Sequence, residues 1–317
     1  MLKNIILGLC LIPFIGIAQN YPPSAGLPGS SAIPANSIYI DEWVSDITII
    51  RGPMDISQPG LGDASIGEAT NAEGPSDPTV VSLGDGGEAL ISLSMPISNH
   101  TGFDFAVFEN GFSADFLELA FVEVSSDGEN FFRFPSISNT PTIEQVGPFN
   151  ILDATYIHNL AGKYQSQYGT PFDLMELDSM DGLDISAISH IKIIDVVGSI
   201  NESYARYDSQ GQVINDPWPT AFESSGFDLE SIAILLENEL DLVDHQPTLK
   251  YAYSDNTLVL FDLDESLEYE VIDLNGRVLQ KGGVNGEISL EGLTNGIYIV
   301  HILNEVHNFA ALKLLKN

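Results

Sequence analysis

Residues 80–93 have the sequence VVSLGDGGEALISL, and this stretch is the clearest indication of the fold class. Two short apolar runs, residues 80–83 and 89–93, flank Gly84-Asp85-Gly86-Gly87. Runs of this length are too short for a stable helix, and a glycine cluster between them is typical of a tight turn. The stretch therefore predicts a strand, a turn and a second strand.

The same pattern extends along the chain. Further strands are predicted where short apolar runs recur, at residues 103–108, 119–125, 131–134, 191–197 and 229–236. Asp127-Gly128 separates two of these runs and predicts a hairpin. Residues 155–168 form the one segment that fits a short helix. Many short strands and few helices predict an all-β fold, with a jelly-roll β-sandwich over residues 37–236.

The N-terminus predicts export. Lys3 precedes an apolar stretch at residues 5–17, and Ala18 then meets polar residues. This is the pattern of a secretory signal peptide over residues 1–18, since the apolar stretch is too short to span a membrane. Residues 19–36, rich in proline, glycine and serine, predict a flexible mature N-terminus. Cys10 is the one cysteine of the chain, so the mature protein is expected to have no disulfide and no thiolate chemistry.

The charge excludes two classes of partner. The chain of 317 residues has 11 Lys and Arg against 45 Asp and Glu, which gives a net charge of −34. A protein this acidic does not hold nucleic acid by neutralising phosphates, and it does not dock on an anionic membrane surface. No apolar stretch predicts a transmembrane segment.

A second β pattern follows a polar, acidic linker at residues 237–248. Strands are predicted at residues 257–261, 267–274, 277–279, 287–290, 296–303 and 309–315, with Asn275-Gly276 as a hairpin turn. These strands predict a small C-terminal β-sandwich over residues 249–317.

Three motifs in this region carry a family resemblance. Residues 269–278 have the sequence YEVIDLNGRV, residues 293–300 have LTNGIYIV, and residues 311–316 have ALKLLK. Their order and spacing resemble the type A C-terminal sorting domain of the type IX secretion system of Bacteroidota. The resemblance implies export through the periplasm to the outer cell surface or the medium, with the type IX machinery as a partner.

The larger domain carries a second resemblance, on the motifs VSLGDGG (81–87), GFDFAVFEN (102–110), EVSSDG (123–128), DPWP (216–219) and SGFDLE (225–230). They resemble a family of secreted bacterial surface proteins with a galactose-binding-like jelly roll. Some relatives are surface proteins for corrinoid or glycan capture. The resemblance implies a fold and a binding role, and it defines no substrate.

Several acids predict a cation site. Side chains alternate between the faces of a strand, so Glu109 shares its face with Phe105 and Val107, and Asp195 and Asp228 likewise end apolar faces. An unpaired buried charge is costly, and the larger domain has five basic residues to pair with its acids. Ca²⁺ with oxygen ligands is the alternative, and solvated strand ends remain open as another interpretation. The candidate ligands are Asp104, Glu109, Asn110, Asp195, Asp216 and Asp228.

Trp218 lies between two prolines in an acidic loop, and a tryptophan on a stiff loop can stack on a sugar or a flat ligand. It is also suited to capping the core. Tyr204 and Tyr207 are candidates for the same ligand site if the loops converge. Residues 178–180 (DSM) fit a short O-glycosylation pattern, which an ordinary loop also explains.

The sequence therefore predicts a secreted or surface-bound, non-catalytic binding protein, stabilised by a cation, that captures a glycan or small ligand. The dispersed histidines and the missing nucleophile and phosphate-loop motifs argue against catalysis. Two alternatives remain: a glycan-active hydrolase or esterase without a recognisable motif, and a structural or adhesion protein.

Overall fold

The computed structural model describes residues 21–236, 250–254, 256–261, 267–273, 277–284, 286–294, 296–303 and 308–316. The chain divides into two compact units, residues 1–239 and residues 240–317. None of the helices in the described residues is long and apolar enough to cross a membrane.

The first unit is built from thirteen strands: β1 Ile33–Pro34, β2 Ile40–Trp43, β3 Ile47–Ile50, β4 Val81–Ser82, β5 Glu88–Ile97, β6 Phe105–Glu109, β7 Ala120–Ser125, β8 Phe132–Arg133, β9 Ile137–Ser138, β10 Ile157–His158, β11 Tyr168–Phe172, β12 Ile188–Asp195 and β13 Asp228–Leu235. Four short 3₁₀ helices accompany them, at Pro59–Leu61, Ala69–Ala72, Ala154–Tyr156 and Leu174–Leu177. The β pattern predicted from the sequence is thus confirmed.

Two antiparallel sheets form the sandwich. One has the order β1-β11-β6-β13-β2, with β4 also paired to β13, and the other has the order β3-β5-β12-β7-β8. Eight of these strands can be renumbered one to eight in chain order: β2, β5, β6, β7, β8, β11, β12 and β13. In this numbering the first sheet has the order 1-8-3-6 and the second has the order 2-7-4-5. This alternation between sheets is that of a jelly roll. The 84–87 turn carries the chain from one sheet to the other.

The core lies between the sheets and follows the alternation along each strand. Phe105 and Val107 of β6 and Ile191 and Ile193 of β12 are fully buried in one cluster, as the sequence predicted. Burial of such side chains contributes roughly 1.5–3 kcal/mol each to folding. Ala106 and Phe108 point to the other side of β6, where a second cluster covers them.

The predicted helix at residues 155–168 is wrong. Residues 155–168 form no helix beyond the 3₁₀ turn Ala154–Tyr156, because Asn159 and Gly162 adopt left-handed backbone angles with φ of 47° and 78°. Residues 21–36, part of the N-terminus that the sequence predicts to be flexible, make backbone contacts with the rest of the unit. The backbone N–H of Tyr21 donates to the Thr155 carbonyl at 2.9 Å, and β1 pairs with β11.

The second unit is a sandwich of its own. Its strands are β14 Lys250–Ser254, β15 Thr257–Phe261, β16 Glu268–Ile272, β17 Val278–Gly283, β18 Glu287–Ser289, β19 Gly296–Leu303 and β20 Asn308–Lys316. They form sheets of order β14-β15-β18 and β17-β16-β19-β20. The predicted turn at Asn275-Gly276 and the linker at 237–248 lie outside the described residues, while β16 and β17 on either side of the turn pair antiparallel.

Candidate functional site

Several buried or half-buried carboxylates lie at one end of the larger sandwich. Glu109 ends β6, Asp195 ends β12, Asp228 begins β13, and Glu118 lies two residues before β7. Antiparallel pairing brings the ends of these strands together, with Leu229 opposite Glu109 and Asp195 opposite Ala120. We call this region the loop end, because the connections 110–118 and 196–227 cross it.

These carboxyl groups lie close enough to repel one another. Burial raises the pKa of Glu109 well above its usual value, and the charges of Glu118 and Asp228 raise it further. Burial likewise raises the pKa of Glu118, with additional repulsion from Asp228, Asp216 and Asp195. The loop end is therefore a region of concentrated negative charge in which the ionised forms are disfavoured.

Asp195 has a structural role. Its Oδ2 accepts hydrogen bonds from the backbone N–H groups of Gly86 at 2.8 Å and Val197 at 2.7 Å, and its Oδ1 accepts from Phe227 at 2.9 Å. It thus ties three segments together, and both of its oxygens are engaged. Even so, burial and the nearby Asp85 raise its pKa to about 7.

Two other acids are only partly satisfied. Asp216 Oδ2 accepts from the Leu119 N–H at 2.9 Å, whereas its Oδ1 is buried without a hydrogen-bond partner. Glu109 Oε2 is also buried without a partner of good hydrogen-bond geometry, although the Gly111 backbone N–H lies near enough to lower the pKa of this carboxyl. Asp228 accepts a hydrogen bond from the Ser82 hydroxyl. Buried carboxylate oxygens that lack a donor are costly, so their presence requires an explanation.

No basic side chain supplies that explanation among the described residues. Arg51 donates to the Ile66, Gly67 and Ser82 carbonyls. Lys163 donates to the Ile157 carbonyl, Arg206 to the Tyr204 carbonyl, and Arg133 pairs with Glu123. Lys192 lies 3.8 Å from the Phe131 ring centroid. All five basic residues of the larger domain are thus engaged elsewhere.

The six predicted metal ligands do not form one site. Asp104 precedes β6 and Glu109 ends it, so the strand rise places them about 17 Å apart. Asp104 accepts from the backbone N–H groups of His100 and Leu174 at 2.9 and 2.6 Å. The Asn110 backbone N–H donates to the Asp228 carbonyl at 3.4 Å, so Asn110 does lie at the loop end. As placed, no three His, Cys, Asp or Glu side chains of the described residues form a chelating group.

Trp218 lies at the same end and is half-buried. Its Nε1–H donates to Asp85 Oδ2 at 3.0 Å, and its ring centroid lies 6.1 Å from that of Tyr204. Tyr204 and Trp218 therefore converge. Tyr207 is 49% exposed, and its backbone forms an isolated antiparallel β-bridge with Val213. No ring contact joins Tyr207 to Trp218 among the described residues.

Several residues of this end were not predicted from the sequence. Phe149 and Phe222 are 75% and 48% exposed and lie 5.9 Å apart between ring centroids. The backbone N–H of Trp218 donates to the Val146 carbonyl at 2.9 Å. This bond joins the loop that carries Phe149 to the loop that carries Phe222. Glu118 and Asp85 were missed as well, because both lie in connections, where no periodic pattern marks a facing direction.

A family model for the "secretion system C-terminal sorting domain" matches residues 254–316. The match supports the type IX sorting signal, and with it a secreted or outer-surface protein. It covers a fifth of the chain and does not extend into the larger domain. No curated protein matches the chain.

Among solved structures, β-glucuronidase from Ruminococcus gnavus is similar over 89% of this chain and 46% of its own, at 10% identity and a TM-score of 0.25. The TM-score for the crystal structure without a named ligand is 0.24, and a complex with D-glucuronic acid gives 0.25 at 8% identity. The chain spans about half the length of these enzymes. At this TM-score the likeness says nothing about function.

Proposed function

We propose that the protein is an exported, non-catalytic binding protein that takes a glycan or another small ligand with a flat apolar face at the loop end. The observation that carries the proposal is the fixed, half-buried indole of Trp218, held by Asp85 and flanked by Tyr204. A ring whose orientation is already set loses little entropy when a ligand stacks on it.

The neighbouring aromatic side chains extend this surface. Phe149 and Phe222 contact each other while remaining largely exposed. Contiguous exposed apolar surface of this kind supports a binding role for this end of the sandwich. Their loop is tied to Trp218 through Val146, so both features belong to one end of the sandwich.

A hydrolase is the second candidate, and one observation favours it. Glu118 is half-buried, and the charge of Asp228 contributes to its raised pKa. A carboxyl whose pKa is raised beside a second carboxyl is the kind of pair that glycoside hydrolysis uses. Glu118→Gln removes such an acid, so loss of hydrolysis on a substrate panel would support this candidate.

The binding proposal is tested with the purified protein and a glycan and cofactor panel, followed by calorimetric titration of each hit, a readout that does not depend on Trp218 fluorescence. Trp218→Ala should weaken binding of any hit about tenfold, because the loss of about 0.5–1.5 kcal/mol of stacking adds to the loss of buried apolar area. Met95→Ala is the matched control, because Met95 is 72% exposed and lies on β5 at the end of the sandwich opposite the loop end. Unchanged affinity in Trp218→Ala would place the ligand elsewhere.

Export is tested separately. Deletion of residues 249–317 should leave the protein in the periplasm, since the sorting domain covers 254–316. Surface delivery of the shortened chain at the level of the full chain would contradict the export proposal.

A further inference from the structure

Arg206 is a half-buried cation without a carboxylate partner in a strongly acidic chain. The chain has 45 Asp and Glu against 11 Lys and Arg, yet none of the ion pairs among the described residues includes Arg206. A guanidinium has five N–H donors. In the part of the chain that the structure describes, Arg206 uses one of them, from Nη1 to the Tyr204 carbonyl at 3.4 Å. A bond of this length is weak, so most of the hydrogen-bonding capacity of this side chain is unused.

The guanidinium lies near the indole of Trp218, and two contacts connect them. The first runs through Tyr204, whose carbonyl accepts the Arg206 bond and whose ring centroid lies 6.1 Å from that of Trp218. The second runs through the turn at residues 84–87. A β-carbon at Gly86 would lie 3.6 Å from Arg206 Nη2, and the preceding Asp85 accepts from the indole N–H. Gly86 is half-buried whereas its neighbours in the turn are buried, so the guanidinium lies where this turn reaches the surface.

The two acids of this turn are bound to other donors. Both oxygens of Asp195 accept main-chain N–H groups, among them that of Gly86 at 2.8 Å. Asp85 Oδ2 accepts from Trp218 and from the Ile56 N–H. Burial also raises the pKa of Asp195 to about 7 and that of Asp85 to about 6, so their ionised forms are disfavoured. A positive charge thus remains for a ligand beside a fixed aromatic ring.

The main chain against which the guanidinium lies is held in a strained conformation. Val197 has φ of 64°, which a β-branched residue rarely adopts. It is 4% exposed, its N–H donates to Asp195 Oδ2 at 2.7 Å, and its Cγ2 would lie 3.8 Å from a β-carbon at Gly86. Strain of this kind persists where surrounding contacts enforce it, and it clusters at functional sites. The support beneath Arg206 is therefore rigid before a ligand arrives.

We propose that Arg206 is the anion-binding residue of the Trp218 surface and that the ligand is a carboxylated sugar. This inference rests on the binding function proposed above and adds the charge of the ligand. The sugar ring stacks on the indole, and its carboxylate accepts two parallel N–H···O bonds from the guanidinium. A phosphate carries more negative charge and is disfavoured near the acids of the loop end. The net charge of −34 repels acidic ligands at long range, but physiological salt screens that repulsion beyond about 8 Å, whereas the contact with Arg206 is direct.

Calorimetric titration of the full-length protein with oligosaccharides of galacturonate, glucuronate and mannuronate tests the proposal, each beside its neutral methyl ester. We expect at least one acidic oligosaccharide to bind at least tenfold more tightly than its ester, because only the acid forms charged hydrogen bonds. Arg206→Gln should remove this preference by weakening the acid about tenfold while the ester keeps its affinity. Arg206→Lys should restore part of it, since an ammonium is a point charge without the planar fork.

A control variant and thermal unfolding separate ligand binding from a structural role. Arg133→Gln, which removes a charge paired with Glu123, should bind both forms like the wild type. Arg206→Gln should melt at the wild-type temperature, because it loses one long hydrogen bond. A structural role for Arg206 would instead lower that temperature and weaken acid and ester equally.

The outcomes also separate this inference from the binding function on which it rests. Binding that requires Trp218 but is equal for acid and ester, or that is unchanged in Arg206→Gln, overturns the inference and leaves the binding function standing. Trp218-dependent binding of neutral ligands alone has the same meaning. If no acidic or neutral ligand binds, the binding function itself is contradicted, and this inference with it.

Discussion

The indole Nε1–H of Trp218 donates a hydrogen bond of 3.0 Å to Oδ2 of Asp85, across 133 residues of sequence. The same oxygen accepts from the Ile56 N–H at 2.8 Å. Asp85 is 3% exposed, so a buried carboxylate fixes the orientation of the half-buried indole. The glycine-rich turn that joins the two sheets thus also positions the candidate ligand surface.

Asp85→Ala should destabilise the larger domain and release the indole. Two donors, the indole and the Ile56 N–H, lose their shared acceptor, which costs about 2 kcal/mol or more. Urea unfolding followed by Trp fluorescence measures both effects. Asp85→Asn retains one carbonyl acceptor and should cost less. Equal stability of Asp85→Ala and wild type would show that the hydrogen bonds contribute little.

The pH dependence of stability should be inverted relative to that of a domain with exposed acids. Burial raises the pKa of Asp85 and of Asp104 to about 6 and that of Asp195 to about 7. Between pH 4 and pH 7 the folded chain therefore binds more protons than the unfolded chain. Its free energy of unfolding should then rise as the pH falls. For each carboxyl, a pKa that is one unit higher in the folded chain than in the unfolded chain changes this free energy by about 1.4 kcal/mol.

Urea midpoints at pH 5, 6, 7 and 8, in chelator, check this prediction. His158, whose pKa burial lowers, opposes the trend, whereas burial also raises the pKa of Glu109, Asp216 and Asp228, which adds to it. Asp104→Asn should reduce the slope of the urea midpoint against pH. Asp127→Asn, at an exposed position, should leave that slope unchanged. A midpoint that increases steadily from pH 5 to pH 8 would contradict the inference that these acids are buried.

Strand alternation made part of this site predictable. Phe105, Val107 and Glu109 share a face of β6, so a charge at the end of an apolar face followed from spacing alone. The jelly-roll class followed from many short strands. Glu118 and Asp216 were not predictable as partners, because both lie in connections where direction depends on tertiary contacts. The bulge between Leu229 and Ser231 also shifts the register that places Asp228 near Glu109.

Gly162→Ala should destabilise the larger domain by about 3 kcal/mol or more, because strain and a clash add together. Gly162 has φ of +78°, and a β-carbon there would lie 1.8 Å from the Glu118 carbonyl oxygen. Gly211 is a matched control, with φ of +77° and no atom within 4 Å of its β-carbon position. Gly211→Ala should cost about 1–2 kcal/mol. Equal losses in the two variants, measured by urea unfolding, would show that the clash is relieved by movement of the chain.

The motif ALKLLK at residues 311–316 ends in a lysine with a structural role. Lys316 at the end of β20 is 7% exposed, and its Nζ donates to the Leu290 carbonyl at 2.7 Å. Leu290 follows β18 of the three-stranded sheet, whereas β20 belongs to the four-stranded sheet. The hydrogen bond therefore joins the two sheets of the sorting unit. Bonds of this charged type contribute about 1.5–3 kcal/mol.

Lys316→Met should consequently loosen the sorting unit, because the stem still packs while the bond between the sheets is lost. The expected result is faster proteolysis within residues 250–316 and a smaller fraction of protein delivered to the surface. Arg277→Ala is the control, since the Arg277 side chain is 75% exposed and its ion pair with Asp273 contributes at most about 1 kcal/mol. That variant should resist protease like the wild type, so any export defect it shows reports recognition by the secretion machinery. Wild-type protease resistance in Lys316→Met would exclude the structural role of this lysine.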